Sequence, residues 1–324
     1  MRVTRALRTR LAATIAAGGY GGVLAWALAA RPGFFGDHLA WWFGARVLLA
    51  GGNPYATLPS GPPYHIADPL FYPLTALVAA VPFTPFPLAL SHALFVALGS
   101  ALLGWGLAPR GWLHLALVLL SFPFLMAANL GQWSPYIAAA ALTPALGWLV
   151  ACKPNLGLAA MAWRPSWAMI VGGAAFAALT LLVMPSWPLE WLASVRSGHA
   201  HPSPLRTLLG LPVLLALLRW RSADARLVIA MAALPQTALF ADQLLLFLVP
   251  KSRRELMFLA FTSIVGGLLF TLHLRGSTDP ARLLDLRYVM LAMYWPAVAI
   301  ILARRDAVAR DAEPPDARPR PPAP

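Results

Sequence analysis

Long apolar segments without a charged residue constrain this chain most. The first of them, residues 11–30 (LAATIAAGGYGGVLAWALAA), has the length of about 20 residues that an α-helix needs to cross a bilayer. Charged residues make up 11% of the chain and hydrophobic residues 59%, whereas a soluble domain carries roughly 25% charged residues. The chain therefore cannot be a soluble globular domain, and we expect an all-α polytopic membrane protein.

Further apolar segments of similar character follow along the chain. Single spans are predicted at residues 87–108, 112–128, 167–185, 205–218, 256–273 and 288–303. Residues 70–83 are too short and too closely bounded by proline for a full span. The 324 residues leave room for roughly eight to ten crossings with short loops. We predict one transmembrane domain over residues 1–303 and a charged, proline-rich, disordered cytoplasmic tail over 304–324.

Two of the apolar regions are interrupted by polar residues and prolines. Between Gln132 and Arg164 the chain is too short for three full crossings, which need about 60 residues. Residues 227–250 contain Asp242 in an apolar setting. Non-helical backbone at membrane depth is tolerated only where it is buried in protein or lines a cavity. We therefore expect broken or re-entrant helices, with Lys153 at some depth in the protein.

Basic residues cluster at the ends of the apolar segments and predict the orientation of the chain. They are Arg2, Arg5, Arg8, Arg10, Arg219, Arg221, Arg226, Lys251, Arg253, Arg254, Arg304, Arg305 and Arg310. Short loops rich in Lys and Arg stay in the cytoplasm, so both termini are predicted to be cytoplasmic in a plasma-membrane protein. This placement accounts for the net charge of +13 without a nucleic-acid partner. The first apolar run exceeds the 7–15 residues of a signal-peptide core, so we expect an uncleaved anchor.

The longest stretch between apolar spans, residues 31–69, is predicted to be extracytoplasmic. Gly and Pro residues mark both of its ends, and a short helix is predicted over residues 38–50. Its aromatic residues Trp41 and Trp42 suit a helix that lies in the membrane interface. Residues 186–203 are predicted to form a second outside loop.

Carboxylates are scarce and unevenly placed. Of the 12 Asp and Glu residues, six fall in or near the predicted outside half: Asp37, Asp68, Glu190, Asp242, Asp279 and Asp285. This asymmetry puts any acid–base site on the extracytoplasmic face. The sequence has no HExxH, CxxC, P-loop or GxSxG pattern, and its single cysteine, Cys152, excludes an intramolecular disulfide.

The predicted cytoplasmic loops are too short to hold a nucleotide-binding domain. Any group that the protein transfers must therefore arrive activated by something other than a nucleotide, and a membrane lipid carrier is the natural source. We expect no metal and no cofactor.

Five short motifs follow one another in the first half of the chain. They are Asp37, Gly52-Asn53-Pro54-Tyr55, Tyr72-Pro73, Gly131-Gln132 and Lys153-Pro154. In their order and predicted topology they resemble the C-superfamily glycosyltransferases, in particular glycosyltransferase family 87, the polyprenyl-phosphate-mannose-dependent mannosyltransferases. The resemblance covers roughly residues 1–165, and the rest of the chain is similar only in its general character. Tyr72-Pro73-Leu74 departs from it, because the family often shows two prolines there.

The resemblance implies a bundle of this superfamily's type and transfer of a hexose, with mannose as the candidate. The donor would be a polyprenyl-phosphate sugar, and the acceptor an extracytoplasmic lipid or glycan. The polyprenyl phosphate departs from the sugar as an anion, so the reaction needs a base for the acceptor hydroxyl and positive charge for the phosphate, but no general acid. Direct displacement with one base inverts the anomeric centre.

Asp37 is the predicted general base, and Lys153 is the predicted phosphate ligand. Asp37 stands beside a predicted helix start, where capping the helix is the alternative role. Charged groups within membrane segments are costly and usually functional, whereas a lysine near a helix end also extends towards the headgroups. Both alternatives stay open on the sequence alone.

Six further residues are predicted to bind substrate: Gln132, Tyr55, Tyr72, Trp133, His65 and His199. The amide could instead cap the surrounding helices. The aromatic residues either pack or lie in the membrane interface, although sugar faces also stack on such rings. The histidines stand in outside loops where a solvated side chain is the ordinary case, and no metal-spaced cluster is evident. Asp242 is either a polar helix contact or a cavity residue.

Two other functions compete with glycosyl transfer. A lipid-linked-sugar flippase or other transporter needs acidic and basic groups along a path through the midplane, often in repeated halves. The sequence shows no repeat, and its carboxylates gather on one predicted side. A noncatalytic subunit of an envelope-assembly complex is the remaining alternative.

Overall fold

The computed structural model describes residues 4–31, 36–56, 69–197, 202–275, 282 and 285–304, and the regular elements in these ranges are all helical. The α-helices are α1 (Arg5–Ala29), α2 (Gly36–Leu49), α3 (Leu74–Ala80), α4 (Leu88–Leu107), α5 (Trp112–Leu119), α6 (Phe122–Leu130), α7 (Ser134–Leu142), α8 (Pro154–Trp163), α9 (Trp167–Leu181), α10 (Trp187–Ser197), α11 (Ala223–Ala233), α12 (Arg253–Leu274) and α13 (Arg287–Ala303, with a π-helical turn at Met290–Tyr294). Three long 3-10 segments are Pro144–Cys152, Leu208–Arg219 and Ala241–Leu248. Residues 305–324 of the predicted tail lie outside the described residues.

Within the described ranges, three helices are long and apolar enough to cross a membrane. They are Arg5–Ala29, Leu88–Arg110 and Arg253–Leu274. The bent pair α5 and α6 passes the same test jointly and makes a fourth candidate. Shorter apolar helices are Leu74–Phe83, Trp167–Leu181, Leu208–Arg219 and Arg287–Ala303. The all-helical architecture is confirmed for the described residues and is consistent with a helical membrane protein, and the total of eight to ten crossings stays a prediction.

The span predicted at residues 112–128 is not one helix. Its halves α5 and α6 meet at an angle of 58°. Ser121 caps α6, because its side chain accepts a hydrogen bond from the backbone N–H of Phe124 at 3.3 Å. Pro123 has no backbone N–H to continue the preceding helix. A capping serine and a proline within an apolar run thus break the span.

The helix breaks expected between Gln132 and Arg164 are confirmed. Helix α7, the 3-10 segment Pro144–Cys152 and helix α8 pack side by side. The end of α7 approaches the end of α4, where a Cβ on Gly106 would lie 2.9 Å from Leu142 Cβ. A 3-10 helix rises about 2.0 Å per residue, so the nine residues of Pro144–Cys152 extend over roughly 18 Å. They carry the chain from the end of α7 back towards its start, and Lys153 follows directly.

Helices α1 and α4 pack along a seam of small residues. A Cβ on Gly21 would lie 2.1 Å from Ser100 Oγ and 3.2 Å from the carbonyl oxygen of Val96. On the other side of α4, Tyr136 of α7 donates its hydroxyl to the Phe95 carbonyl at 2.6 Å. Small residues allow the close backbone approach that stabilises helix pairs in membranes. Helix α4 is therefore held between α1 and α7.

Helix α2 confirms the helix predicted over residues 38–50, but it lies in a different environment from the predicted membrane interface. Trp41 and Trp42 are 0% and 5% exposed, and the Trp41 ring packs against Phe95 with centroids 4.4 Å apart. The expectation that these tryptophans lie in the membrane interface was wrong, because they fill the protein core. Residues 186–203, predicted as a loop, contain α10.

The basic segments meet at one end of the bundle. Arg304, after α13, contacts Asp224 at 2.5 Å and Glu255 at 2.8 Å. Lys251 contacts Asp224 at 3.0 Å, and Arg219 donates to the Arg304 carbonyl at 3.0 Å. The starts of α11 and α12 and the end of α13 are thereby joined through the buried Asp224 and the half-buried Arg304 and Glu255, with the exposed Lys251 at the edge.

The seam between α1 and α4 predicts a position-specific effect of added methyl groups. Gly21→Ala should lower the free energy of unfolding by about 1–3 kcal/mol, because the new Cβ overlaps Ser100 and forces the helices apart. Gly19, two residues away, has nothing within 4 Å of its Cβ position, so Gly19→Ala should be neutral or stabilising. Thermal and SDS unfolding of the two variants in detergent measures the difference. Equal stabilities would contradict the seam.

Candidate functional site

Asp37 lies in the first turn of α2 and joins two other chain segments. Its Oδ2 accepts a hydrogen bond from the Tyr72 hydroxyl at 2.7 Å and another from the Gln132 side-chain amide. Helix α2 begins at Gly36, so Asp37 is inside the helix rather than before it. A carboxylate in the first turn is also favoured by the helix dipole. The side-chain contacts hold Asp37 in place without requiring it to cap the helix.

Lys153 continues the same network on the other side of Gln132. Its Nζ donates to Gln132 Oε1 at 2.5 Å and to Asp242 Oδ1 at 2.6 Å. The Lys153 side chain is 12% exposed and that of Asp242 is 2% exposed. The second Asp242 oxygen accepts from the backbone N–H of Thr237 at 3.1 Å. A carboxylate, an amide, an ammonium and a second carboxylate thus form one continuous chain of contacts.

Two glycines bring Gln132 to Asp37. Gly131 ends α6 in the left-handed region, with φ +66° and ψ +49°, where glycine is favoured. A Cβ on Gly131 would lie 2.6 Å from His38 Cβ, and a Cβ on Gly36 would lie 2.7 Å from Leu130 Cδ2. The start of α2 and the end of α6 can therefore approach closely enough for the side chains to bond.

Tyr72 is buried and serves as a fixed donor to Asp37. Its hydroxyl is also 3.1 Å from Gln132 Oε1. Burial, and then the Asp37 carboxylate, raise the pKa of Tyr72 well above its ordinary value, so the hydroxyl keeps its proton. Tyr55 lies beside it and donates its hydroxyl to the backbone carbonyl of Tyr72 at 3.2 Å. Burial, and then the charge of Glu190, raise the pKa of Tyr55 in the same direction.

The backbone just before Asp242 adopts an unusual conformation. Phe240 has φ +65°, in the left-handed region that residues other than glycine rarely adopt. Such a residue costs on the order of 1–3 kcal/mol and persists where the surroundings fix it, often at functional sites. The buried Phe240 ring packs against Phe122 at 5.0 Å and Phe270 at 5.8 Å. This packing holds the turn that leads into Asp242.

The sequence did not assign Asp242 to the site, although a signal was present. Lys153 and Asp242 are opposite charges in the two interrupted apolar regions, and charges in membrane segments usually pair with each other. That rule would have predicted the contact between them.

The structure brings Asp37, Tyr72, Gln132 and Lys153 together, with Tyr55 adjacent. Trp133 is buried instead in an aromatic cluster, 4.9 Å from Phe95 and 5.1 Å from Tyr136 by ring centroids. This is the packing role that the sequence left open for it.

Two other predicted binding residues, His65 and His199, lie outside the described residues. Among the residues that the structure describes, no three His, Cys, Asp or Glu side chains are grouped to hold a metal ion.

The arrangement has two chemical capacities. The Asp37 carboxylate is half-buried and bonded to neutral donors, so it can accept a proton. The Lys153 ammonium, one side chain away, can stabilise an anion.

Comparisons of the chain with protein-family models, with curated proteins and with solved structures find no match.

The Lys153–Asp242 pair predicts strong coupling between the two positions. Lys153→Met alone leaves a buried unpaired carboxylate and should lower the free energy of unfolding by about 3–5 kcal/mol. Replacing both partners, Lys153→Met with Asp242→Leu, should recover most of that loss, because no charge stays buried alone. A double-mutant cycle of SDS unfolding measures the coupling. Additive effects of the two substitutions would show that the pair does not form.

Proposed function

We propose that this chain is an integral membrane glycosyltransferase. It moves a hexose, with mannose as the candidate, from a polyprenyl-phosphate carrier to a lipid or glycan acceptor on the extracytoplasmic face. The observation that carries the proposal is the contact of Gln132 with both Asp37 and Lys153. A base and a cation one side chain apart are the groups that this reaction needs.

The chemistry assigns one role to each group. The acceptor hydroxyl gives its proton to Asp37 while its oxygen bonds to the anomeric carbon. The bond from that carbon to the phosphate oxygen breaks, and the electron pair stays with the polyprenyl phosphate. This single displacement inverts the anomeric centre. Tyr72 and Gln132 orient the carboxylate, and Lys153 stabilises the departing phosphate.

The proposed orientation places both termini in the cytoplasm. Helix α1 separates Arg5 from Ala29 by roughly 36 Å at 1.5 Å per residue, so its basic start and the Asp37 region after it fall on opposite sides of a bilayer. Basic segments favour the cytoplasmic side. The three long helices, the bent pair α5 and α6 and the shorter apolar helices would form the membrane part of the bundle that we propose.

One observation favours a second candidate function, transport of a lipid-linked sugar. Lys153 and Asp242 pair at interruptions in two apolar segments, and transporters also use discontinuous helices at their binding sites. Radiolabelled polyprenyl-phosphate sugars in proteoliposomes separate the two functions. A transferase releases the label to an acceptor, whereas a transporter moves intact donor across the bilayer.

Asp37→Asn tests the proposed base. The asparagine oxygen can still accept from Tyr72 or Gln132, so the fold and donor binding should persist. Turnover should fall about 100-fold or more, the usual contribution of a general base. Sugar transfer from a radiolabelled donor measures the effect. Asp285→Asn is the matched control, because Asp285 pairs with Arg287 at 2.5 Å away from the network.

Retention of more than about a tenth of wild-type turnover by Asp37→Asn, short of a general-base loss, would place the base elsewhere. Asp68 and Glu190 would then be the next carboxylates to test.

The double variant Lys153→Met with Asp242→Leu tests the proposed phosphate contact without leaving a buried unpaired charge. One charge-assisted contact is worth about 1.5–3 kcal/mol, so affinity for a polyprenyl-phosphate analogue should fall roughly 10- to 150-fold. Asp242→Asn alone keeps the ammonium and should retain binding. Equilibrium binding to the purified proteins measures both. Unchanged affinity in the double variant would show that Lys153 does not bind the phosphate and has a structural role only.

A further inference from the structure

The inner face of α10 holds the backbone that carries Tyr72. Three consecutive carbonyls, those of residues 70–72, each accept a side-chain hydrogen bond. Ser194 and Trp191 of α10 donate to the first two at 2.9 and 2.8 Å. Tyr55 donates to the third at 3.2 Å. The segment that presents the Tyr72 hydroxyl to Asp37 is therefore fixed from two sides, and α10 supplies two of the three contacts.

A further contact ties α10 to the turn that contains Tyr55. The Glu190 carboxylate accepts from the Asn53 side-chain amide and, at 2.6 Å, from the Ser186 hydroxyl. Asn53 in turn accepts from the backbone N–H of Tyr55 at 2.9 Å. Helix α10 thus holds both segments around Tyr72, and Glu190 is part of this support.

The opposite face of α10 is apolar and exposed. Leu189, Leu192 and Val195 are 76%, 40% and 39% exposed, and their spacing of three residues puts them on one side of the helix. Arg196 is exposed on the same side near the end of the helix. The apolar exposure continues from Leu182, after the apolar helix α9. An apolar face with an arginine at its edge fits the boundary between acyl chains and headgroups.

We propose that α10 is an interfacial helix whose outer face contacts lipid and whose inner face positions Tyr72. In this arrangement the bilayer surface itself supports the geometry around Asp37. Continuity with the apolar surface of α9 favours lipid over a protein partner as the occupant of this face. The proposal requires that the chain is embedded in a bilayer and does not depend on which reaction the site performs.

Lipid contact is tested with fluorescent labels in nanodiscs of phosphatidylcholine and phosphatidylglycerol. Leu189→Cys and Leu192→Cys, each in a Cys152→Ser background, are labelled with bimane. Doxyl-labelled phosphatidylcholine should quench both labels and aqueous iodide should not. Arg254→Cys, in the exposed start of α12, is the control, for which iodide should quench more strongly. Iodide quenching of the α10 labels, or protection from both quenchers, would overturn the lipid face.

Positioning of Tyr72 is tested separately, without a transfer assay. Leu192→Asp adds a charge to the outer face and should withdraw α10 from lipid, whereas Leu192→Met keeps the face apolar. Fluorine NMR of 3-fluorotyrosine placed at Tyr72 should show a changed shift in the aspartate variant only. The same probe at Tyr20 of α1 should stay unchanged in both variants. An unchanged Tyr72 signal in a folded Leu192→Asp variant that has left the lipid would refute the coupling. Neither outcome depends on whether the chain transfers sugar.

Discussion

Lys153 and Asp242 lie 2.6 Å apart and are separated by 89 residues of chain. Each would be costly to bury alone, because a protein interior or a bilayer solvates an isolated charge poorly. Their pairing therefore requires that two interrupted apolar regions stay together. The 3-10 segment Pro144–Cys152 ends just before Lys153, and the 3-10 segment Ala241–Leu248 contains Asp242. The ion pair thus links the start of α8 to the 3-10 segment Ala241–Leu248.

Gln132 extends the constraint from the ion pair to Asp37. A neutral amide can donate from one end and accept at the other, so a single side chain fixes both a carboxylate and an ammonium. Neither charged group can move without breaking a bond to Gln132. This arrangement requires the left-handed backbone of Gly131, because the turn at Gly131 places the Gln132 amide between Asp37 and Lys153. If the site performs the proposed transfer, this rigid spacing of Asp37 and Lys153 would serve catalysis, where positioning contributes much of the rate.

The sequence predicted the elements that depend on local pattern. Apolar length located α1, α4 and α12, and prolines and charges indicated the breaks around Lys153. The order of short motifs placed Asp37, Tyr72, Gln132 and Lys153 in one predicted site, and hydrogen bonds join these four residues in the structure. Hydropathy does not distinguish a side chain that contacts lipid from one that packs against protein. The sequence therefore predicted Trp41 at the membrane interface, whereas the structure places it in the core. Hydropathy also gave no partner for Asp242, whereas the pairing of opposite charges in apolar segments would have indicated Lys153, 89 residues away.

The long separation of the ion pair has a consequence for how the protein is made. Ribosomes extend a chain at roughly 5–20 residues per second, so the 89 residues between Lys153 and Asp242 take about 4–18 s to appear. Throughout that interval Lys153 has been synthesised without its counter-charge. Because an unpaired charge in lipid is costly, we expect the segment around Lys153 to settle in the membrane only after the segment that contains Asp242 has been synthesised.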